Sequence, residues 1–332
     1  MRTTIYDVAR KAGVSKSLVS LVLNNSHLVR EGKRERVLKV IKEMRYRPDF
    51  FARGMTMRKS HSIGLIISDV RNIFFPDVIR GVEDVVSVRG YGVFLANTDE
   101  KIEKMEQHIN NFRGRGVEGL IIHPVRGYFL DCQIIQELKK DGFPFVLIDR
   151  YLKKVKTDYV ICNNTNATFK AVEYLIKRGY RRIAHICERD CTTTQGRLRG
   201  YKTALKKYNI EFDPELVKEN KSGLLEEGGY ILTRELLQMK KPPRAIFTVN
   251  DTIAKGCLKA IEEKDLRVPQ DIAVMGYDDL PFASLLNLST VAPPKYEMGK
   301  IAAELLLEKI EGKIKKKRHI ILKTELIIRK ST

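Results

Sequence analysis

The sequence predicts a small all-α head that contains a helix-turn-helix, followed by a large α/β core of two lobes with parallel sheets. Three observations predict this organisation. The first 46 residues carry apolar residues at helical spacing, whereas from His61 onward short apolar runs alternate with helical patterns. The apolar runs are too many for one sheet of ordinary size, which favours two lobes with a ligand held in the cleft between them.

The composition is that of a soluble globular protein, with 332 residues of which 43% are hydrophobic and 31% charged. No run of about 18 apolar residues could span a bilayer, and the N-terminus lacks the apolar segment of a secretory signal, so we expect a cytoplasmic protein. The cysteines are odd in number without a CxxC pair, which favours reduced thiols and no disulfide. They are Cys132, Cys162, Cys187, Cys191 and Cys257.

The positive charge is concentrated near the N-terminus. The net charge is +20, and residues 1–60 hold 15 Lys and Arg against five Asp and Glu, so half of the excess lies in the first sixth of the chain. A dense basic surface is what a polyphosphate needs, because each neutralised phosphate releases condensed counterions. On charge alone, a solvated basic surface explains the excess equally well.

The head contains three helical patterns. The inward residues of the first recur at i, i+3, i+4 and i+7, and they are Ile5, Val8, Ala9 and Ala12. Gly13 ends this helix, and Ser15 is a good N-cap for a second one. The second helix buries Val19, Val22 and Leu23, and a third, between Val29 and Tyr46, covers both with Val37, Ile41 and Met44. This is a helix-turn-helix, whose second helix offers its outer face to a DNA major groove.

The outer face of the second helix carries the candidate DNA-reading residues. Lys16 and Ser17, near its N-terminus, are best placed for base edges, while Ser20 and the backbone amides would hold phosphates. Leu21 has two explanations of equal weight, packing against a neighbour or apolar contact with a thymine methyl group.

The segment after the third helix should not be helical alone in water. Pro48 suits a first helical turn, but the segment to Met57 is only about two or three turns long and contains Gly54. It therefore needs a partner in order to fold.

From His61 onward the apolar runs predict parallel strands, and these are SIGLIIS, GVFLANT, GLIIHP, FPFVLID, YVICNN, RRIAHIC, RAIFTVN and DIAVMGYDD. Gly114, Gly116 and Gly119 satisfy G-x-G-x-x-G, but this motif precedes a strand, so we reject a dinucleotide site. No phosphate loop, nucleophile elbow or HExxH motif is present, so we expect neither enzymatic activity nor a metal or cofactor. His185, inside an apolar strand, is interpreted as a buried histidine with a satisfied ring.

Two further segments have two interpretations each. The helix FPDVIRGVEDVVSVRG, with Val78, Val82, Val85 and Val86, serves mostly the lobe core, although part of it could face a second copy of the chain. The basic run KIKKKR is interpreted as a solvated loop, with DNA binding as the weaker alternative.

The sequence resembles the lactose-repressor/galactose-repressor family of bacterial transcription regulators along its whole length. The matching segments are YDVARKAGVSKSLVSLVLN, YRPDFFARGM, IGLIISDVRNIFFPDVIRGVED, GRLRGY, VNDTIAKG, LRVPQDIAVMGYDD and YEMGKIAAELLLEKIEG. Family members commonly have Arg where Leu21 stands, so the operator sequence does not carry over from relatives.

The resemblance implies a hinge helix that orders when two copies meet in the minor groove. A leucine wedges into the central base step in the family, and Met55 occupies that position here. The alternative is that Ala52, Met55 and Phe51 merely pack against the core. The predicted DNA-contacting residues are Thr4, Tyr6, Lys16, Ser17, Ser20, Leu21, Asn24, Ala52, Arg53 and Met55.

The resemblance also implies a periplasmic-binding-protein-like core of type I, in which the chain crosses between lobes near Asn163, Val291 and Ile320. The expected domains are a helix-turn-helix domain at 1–46, a hinge at 47–60, an N-terminal lobe at 61–162 and 291–319, and a C-terminal lobe at 163–290 and 320–332.

Family ligands, mostly sugars or nucleobases, are held by polar groups at strand ends and an aromatic face. The matching effector-binding residues are Asn72, Phe74, Asp149, Arg150, Thr193, Arg197, Asn250, Asp251 and Asp278. Arg197 facing Asp278 would suit vicinal hydroxyls, and the alternative is an interlobe salt bridge that closes the cleft without ligand. Since the chain has no Trp, stacking must fall to Phe74, Phe75 or a tyrosine.

The leading interpretation is a DNA-binding regulator, usually a repressor, that is controlled by a small carbohydrate-like effector. No heptad pattern follows the last strand, so we expect a homodimer on a pseudopalindromic double-stranded operator. One alternative is a regulator that uses a phosphoprotein corepressor, as one branch of the family does. The C-terminal residues RKST loosely resemble members of that branch. Another is a soluble sugar-binding receptor, which the missing secretory signal disfavours.

Overall fold

The computed structural model describes residues 3–23, 28–46, 60–127, 131–188, 191–221, 223, 225–313 and 316–332. The chain divides into two compact units, Met1–Ser60 and His61–Thr332. None of the described helices combines the length and apolar character needed to cross a bilayer. All five cysteines are free and buried.

The head unit contains three helices, α1 (Ile5–Ala12), α2 (Lys16–Leu23) and α3 (Glu31–Glu43). Thr4 caps α1 in a capping box with Asp7, and Gly13 ends it with φ at 63°, a conformation that favours glycine. Ser15 caps α2, because its Oγ accepts a hydrogen bond of 3.2 Å from the amide of Leu18. The predicted inward residues form one apolar cluster, in which Val8, Val19 and Val37 have no exposed surface.

The described residues of the core unit alternate between strands and helices. In chain order these are β1 (Ser62–Ile67), α4 (Phe75–Val88), β2 (Gly92–Asn97), α5 (Ile102–Gly114), β3 (Gly119–Ile122), α6 (Gln133–Lys140), β4 (Phe145–Ile148), β5 (Tyr159–Cys162), α7 (Asn164–Lys177), β6 (Ile183–Glu188), α8 (Thr192–Lys207), β7 (Val217–Asn220), α9 (Leu225–Leu237), β8 (Ala245–Thr248), α10 (Asp251–Glu262), β9 (Ala273–Tyr277), α11 (Pro281–Leu285), β10 (Ser289–Ala292), α12 (Lys295–Ile310), β11 (His319–Leu322) and β12 (Glu325–Ile327).

The N-terminal lobe is a parallel sheet in the order β11-β5-β4-β3-β1-β2. Successive residues of β1 point to opposite faces, so Leu65 packs with α4 and α12 while Ile66 packs with α5 and α6. The central strands are therefore buried on both faces. This is why they appear in the sequence as continuous apolar runs.

The C-terminal lobe has the order β12-β10-β9-β8-β6-β7, and only the pairing of β10 with β12 is antiparallel. Helices α7 and α8 cover one face and α9 and α10 the other. The two predicted α/β lobes are thus confirmed. Strands β7, β10 and β11 are not among the predicted ones. β7 and β11 are edge strands, and β10 is rich in buried polar groups such as Thr290.

The chain passes between the lobes three times. The first passage follows β5, which ends at Cys162, the second follows β10, and the third follows β11. Strand β10 stays in the second sheet through Ala292, and β11 stays in the first sheet through Leu322. The ladders continue past the positions near Val291 and Ile320 at which the sequence predicted crossings.

Candidate nucleic-acid interface and ligand cleft

The outer face of α2 presents the predicted reading residues to solvent. Lys16 and Ser17 are exposed, Ser20 is half-buried, and the side chain of Leu21 is 39% exposed and lies outside the apolar cluster of the head. Lys16 Nζ donates a hydrogen bond of 3.2 Å to the hydroxyl of Tyr6 on α1 and lies 4.9 Å from the centre of its ring. The exposed Tyr6 therefore holds the Lys16 ammonium group near the N-terminus of α2.

The other predicted DNA-contacting residues divide into two groups. Thr4 is exposed at the N-terminus of α1, where its side chain is occupied with Asp7. Asn24, Ala52, Arg53 and Met55 lie outside the described residues, as does the predicted hinge helix apart from Ser60.

A cavity between the two lobes collects eight of the nine predicted effector-binding residues. It has a volume of about 50 Å³, enough for a few water molecules, and lies where strands of both sheets end. The predicted residues in its wall are Asn72, Phe74, Asp149, Arg150, Thr193, Arg197, Asn250 and Asp278.

Arg197 is fixed by groups of its own lobe. Its Nε donates to Asn164 Oδ1 at 2.9 Å, Nη1 donates to the carbonyl of Val249, and the guanidinium carbon lies 3.5 Å from the ring centre of Tyr277. Its Nη2 is 3.7 Å from Asp278 Oδ1. Both partners belong to the C-terminal lobe, so the alternative of an interlobe salt bridge between them is wrong.

Two carboxylates of the cavity wall sit on unusual backbone. Asp149 has φ at 60° and Asp278 has φ at 104°, and such conformations cost roughly 1–3 kcal/mol each, so the surrounding structure must hold them. Burial raises the pKa of Asp278 to about 8, an effect that Arg197 offsets only in part. The buried Lys295 donates to the carbonyl of Asp278 at 2.6 Å. Asp278 can therefore accept hydrogen bonds from a ligand or, when protonated, donate one.

Asp149 is paired with a histidine that the sequence did not indicate. His123 is buried, and its Nε2 lies 3.3 Å from Asp149 Oδ2. Burial lowers the pKa of His123, so the imidazole is neutral at pH 7. A neutral ring fixes the Asp149 carboxylate without neutralising it, and Asp149 thus stays an acceptor for a ligand hydroxyl.

Arg150 contributes to the wall, but its guanidinium group is already engaged. It makes two hydrogen bonds of 3.0 Å to the carboxylate of Glu100 and one of 2.9 Å to the carbonyl of Pro124. Burial opposes ionisation of Glu100, yet Arg150 and Arg126 lower the pKa of its carboxyl to about 2. Arg150 therefore serves mainly to hold this part of the wall.

The remaining wall residues combine an apolar face with polar groups. Phe74 and Phe75 meet edge to face, 5.3 Å between ring centres, and Asn72 Oδ1 accepts from the amide of Phe74 at 3.0 Å. Asn250 caps α10 through its Oδ1, and Thr193 Oγ1 lies 3.0 Å from the thiol of Cys191. The predicted aromatic face is thus present at the cavity.

Asp251 is the one predicted effector-binding residue that the structure places elsewhere. It has no exposed surface and accepts hydrogen bonds from the amide of Leu280 at 2.8 Å and from Thr290 Oγ1 at 2.6 Å. Its predicted role in effector binding is therefore wrong. At the first position of α10 the side chain turns into the sheet, whereas Asn250, one residue earlier, borders the cavity.

Sequence reasoning missed Arg126 and Glu188, which both line the cavity. Glu188 is the last residue of β6, so the rule that strand ends present ligand-binding groups could have identified it. Arg126 follows β3 by four residues and carried no comparable indication.

Several secondary interpretations can be compared with the structure. His185 is buried between the rings of Tyr201 and Phe247, with Nδ1 hydrogen-bonded to a backbone carbonyl at 3.0 Å, but Nε2 has no partner among the described residues. The G-x-G-x-x-G stretch joins the end of a helix to a strand, as expected.

The structure also describes the helix FPDVIRGVEDVVSVRG, the C-terminal stretch RKST and part of the basic run KIKKKR. In α4, Val78, Val82 and Val86 belong to the lobe core. In the C-terminal RKST stretch, Ser331 and Thr332 are buried in the C-terminal lobe. Lys316 and Lys317 of the basic run are exposed.

Comparison with known proteins agrees with this architecture. Residues 4–49 match the family model of bacterial regulatory proteins of the lacI family, and residues 172–332 match that of the periplasmic binding protein-like domain. The ribose operon repressor of Haemophilus influenzae is 33% identical over 332 residues, which cover 99% of this chain and 98% of the relative.

Solved structures show the same likeness. The Lac repressor dimer bound to operator and the anti-inducer ONPF has a TM-score of 0.90 at 25% identity, over 100% of this chain and 99% of that chain. The complex of the transcriptional regulator CelR with cellobiose has a TM-score of 0.74 at 29% identity, over 100% of both chains. The predicted fold is confirmed, and the chain belongs to the lacI family of bacterial regulatory proteins.

Proposed function

We propose that this chain is a cytoplasmic, sequence-specific repressor that binds a pseudopalindromic operator as a homodimer and responds to a small polyhydroxylated effector in the interlobe cavity. The observation that carries the proposal is the convergence of eight predicted effector-binding residues on one cavity wall. The names of two relatives, a ribose operon repressor and a regulator in complex with cellobiose, support a sugar as the class of effector.

The chemistry of the cavity suits a sugar. Asp149 supplies a carboxylate acceptor, Asp278 supplies a carboxyl group that accepts or, when protonated, donates, Arg197 supplies guanidinium donors, and the ring of Phe74 supplies an apolar surface. Hydroxyl groups both donate and accept hydrogen bonds, while the C–H face of a sugar ring packs on an aromatic ring. A neutral polyol satisfies both kinds of wall group.

A second copy of the chain fits the exposed apolar residues of the core. Phe94 and Leu95 of the edge strand β2 are 38% and 43% exposed, and Leu285 of α11 is 84% exposed. Exposed apolar groups on an unpaired sheet edge favour association. The similar Lac repressor structure is that of a dimer by its title.

Regulation follows from the two-lobed sensor. An effector that binds one closure state of the cleft more tightly than the other shifts the equilibrium between them. In a dimer, this shift would move the two hinge segments together or apart and so change operator affinity.

The test is a gel-shift titration with DNA from upstream of the protein's own gene. We expect a retarded band at low salt whose affinity falls steeply with rising salt, because phosphate contacts release counterions. Random DNA of the same length serves as the control. The proposal would be contradicted if the protein retarded neither the upstream DNA nor the random DNA at low salt, or if it retarded both equally.

Lys16→Ala tests the reading face of α2 directly. If Lys16 contacts a base edge, the variant loses roughly 1–3 kcal/mol of operator binding and its sequence preference changes. Lys33→Ala, which removes an exposed cation from α3, is the matched control. A uniform loss of affinity across all sequences would assign Lys16 to a phosphate contact instead.

A further inference from the structure

One ion pair joins the two lobes across the cleft. The guanidinium group of Arg126, from the loop after β3, contacts the carboxylate of Glu188 at the end of β6. Each partner is also held from its own lobe. The backbone amide of Arg126 donates to Glu100 Oε2 at 2.8 Å, and Asn250 Nδ2 donates to Glu188 Oε2 at 3.1 Å. We call Arg126 and Glu188 the cross-cleft pair.

The cross-cleft pair stands where two spaces meet. On one side is the inner cavity of about 50 Å³ that contains the predicted effector-binding residues. On the other side is an outer groove of about 1150 Å³, which is lined by residues that follow β2, such as Lys101, and by residues at the end of β7 and after it, such as Lys221. Arg126 lines both spaces, whereas Glu188 lines only the inner one.

The burial of the pair indicates a closed contact. The side chain of Glu188 is 6% exposed and that of Arg126 is 22% exposed. Separating the pair leaves the buried Glu188 carboxylate with the neutral amide of Asn250 but without its cationic partner, so the closed arrangement resists opening. Ser68 and Asn72 also line both spaces, so Arg126 stands beside them between a group in the outer groove and the inner cavity.

We propose that the cross-cleft pair is a gate that closes the inner cavity toward the outer groove and excludes effectors larger than a single sugar ring. This inference rests on the proposed function in taking the inner cavity as the effector site. It makes Arg126 and Glu188 specificity-determining residues, because they decide the size of ligand that fits while other residues make the polar contacts.

A thiol-accessibility experiment tests the gate without any ligand. Cys191 lines the inner cavity and is 2% exposed, so its modification by fluorescein maleimide, followed by mass spectrometry of the Cys191 peptide, reports access to the cavity. In the full-length protein we expect slow labelling of the wild type and labelling at least about tenfold faster in Arg126→Ala. Cys191→Ser establishes the background.

Two further variants control this experiment. Arg113→Ala removes an arginine that pairs with Asp141 on the surface of the same lobe, and it should label like the wild type. Glu188→Gln removes the charge of the pair and keeps its volume, so it should also label faster, even if Arg126→Ala folds poorly. Rates for Arg126→Ala and Glu188→Gln that equal the wild-type rate would overturn the gate.

A thermal-shift comparison with D-ribose, D-glucose and cellobiose tests the size limit. We expect cellobiose to stabilise the wild type no more than the single-ring sugars do, and Arg126→Ala to gain stabilisation by cellobiose. If cellobiose stabilised the wild type more strongly than D-ribose and D-glucose do, the size limit would be overturned. Because the labelling experiment needs neither ligand nor DNA, failure of the operator experiment and failure of the gate are distinguishable.

Discussion

Asp251 is a carboxylic acid without exposed surface, and its surroundings favour the protonated form. Burial raises its pKa to about 7, and the hydrogen bonds from Thr290 and the Leu280 amide offset this only in part. The unfolded chain has the ordinary aspartate pKa, about 4. The folded state therefore binds the proton more tightly, and this contribution to stability is lost as pH rises from about 4 through 7.

Asp251→Asn should abolish the loss of stability that the ionisation of Asp251 causes as pH rises. An amide cannot ionise. We therefore expect the melting temperature of the variant minus that of the wild type to be higher at pH 8 than at pH 5. Thermal unfolding at the two pH values measures the change. Asp141→Asn, which alters an exposed aspartate that is not in the cavity wall, is the control and should show no such gain. A difference between Asp251→Asn and the wild type that is equal at both pH values would contradict the assignment.

The helices of the core pack at backbone contact in places where glycine is the only residue that fits. A Cβ atom on Gly299 of α12 would lie 2.0 Å from the carbonyl oxygen of Val78 on α4, and one on Gly81 would lie 2.1 Å from that of Tyr296. These positions need glycine because of close approach, since neither has the left-handed backbone that favours it elsewhere. These two close contacts fix the position of α12 against α4.

Gly299→Ala should destabilise the protein by roughly 1–3 kcal/mol, because the helices must separate to admit the methyl group. Gly114→Ala is the matched control. Gly114 is the last residue of α5, and a Cβ atom there meets nothing within 4 Å, so this change should be neutral or slightly stabilising. Urea unfolding measures both variants. Equal effects of the two substitutions would refute the close-contact explanation.

At the scale of single helices and strands, the sequence predicts the central strands of each sheet well and the edge strands poorly. The runs that became β1, β3 and β8 are apolar because parallel strands are buried on both faces. Strand β7 has only β6 as a neighbour and consists of Val217, Lys218, Glu219 and Asn220, so it lacks an apolar run. Pairing with a neighbour, and not composition, makes it a strand.

At the scale of the whole molecule, strand ends from two lobes meet at one cavity. Matching motif positions was enough to place Asn72, Arg197 and Asp278 there, because Asn72 and Asp278 follow strands and Arg197 lies in the second turn of a helix that begins at the cleft. It did not reveal the contact of Arg126 with Glu188, which depends on how the lobes close. Local sequence records which residues a lobe presents, and only the assembled core shows which of them meet.

The division into two compact units predicts that residues 61–332 fold without the head. The core has four apolar clusters of its own, so we expect this fragment to unfold cooperatively and to retain the thermal shift caused by any sugar that stabilises the full chain. Lacking the basic head, it should not retard operator DNA. A gel shift of the fragment beside the full chain measures this, and retention of full operator affinity would refute the assignment of DNA binding to the head.

The three passages between the lobes have a consequence for synthesis of the protein on the ribosome. Strand β11 pairs with β5 and strand β12 pairs with β10, so both sheets gain an edge strand from residues 319–327. A nascent chain that stops before His319 therefore carries two sheets with open edges, each a template for pairing with another chain. Completion of the last strands covers β5 and β10 and leaves the more exposed β11 and β12 at these two edges, so premature termination before this point favours aggregation and proteolysis of the entire sensor.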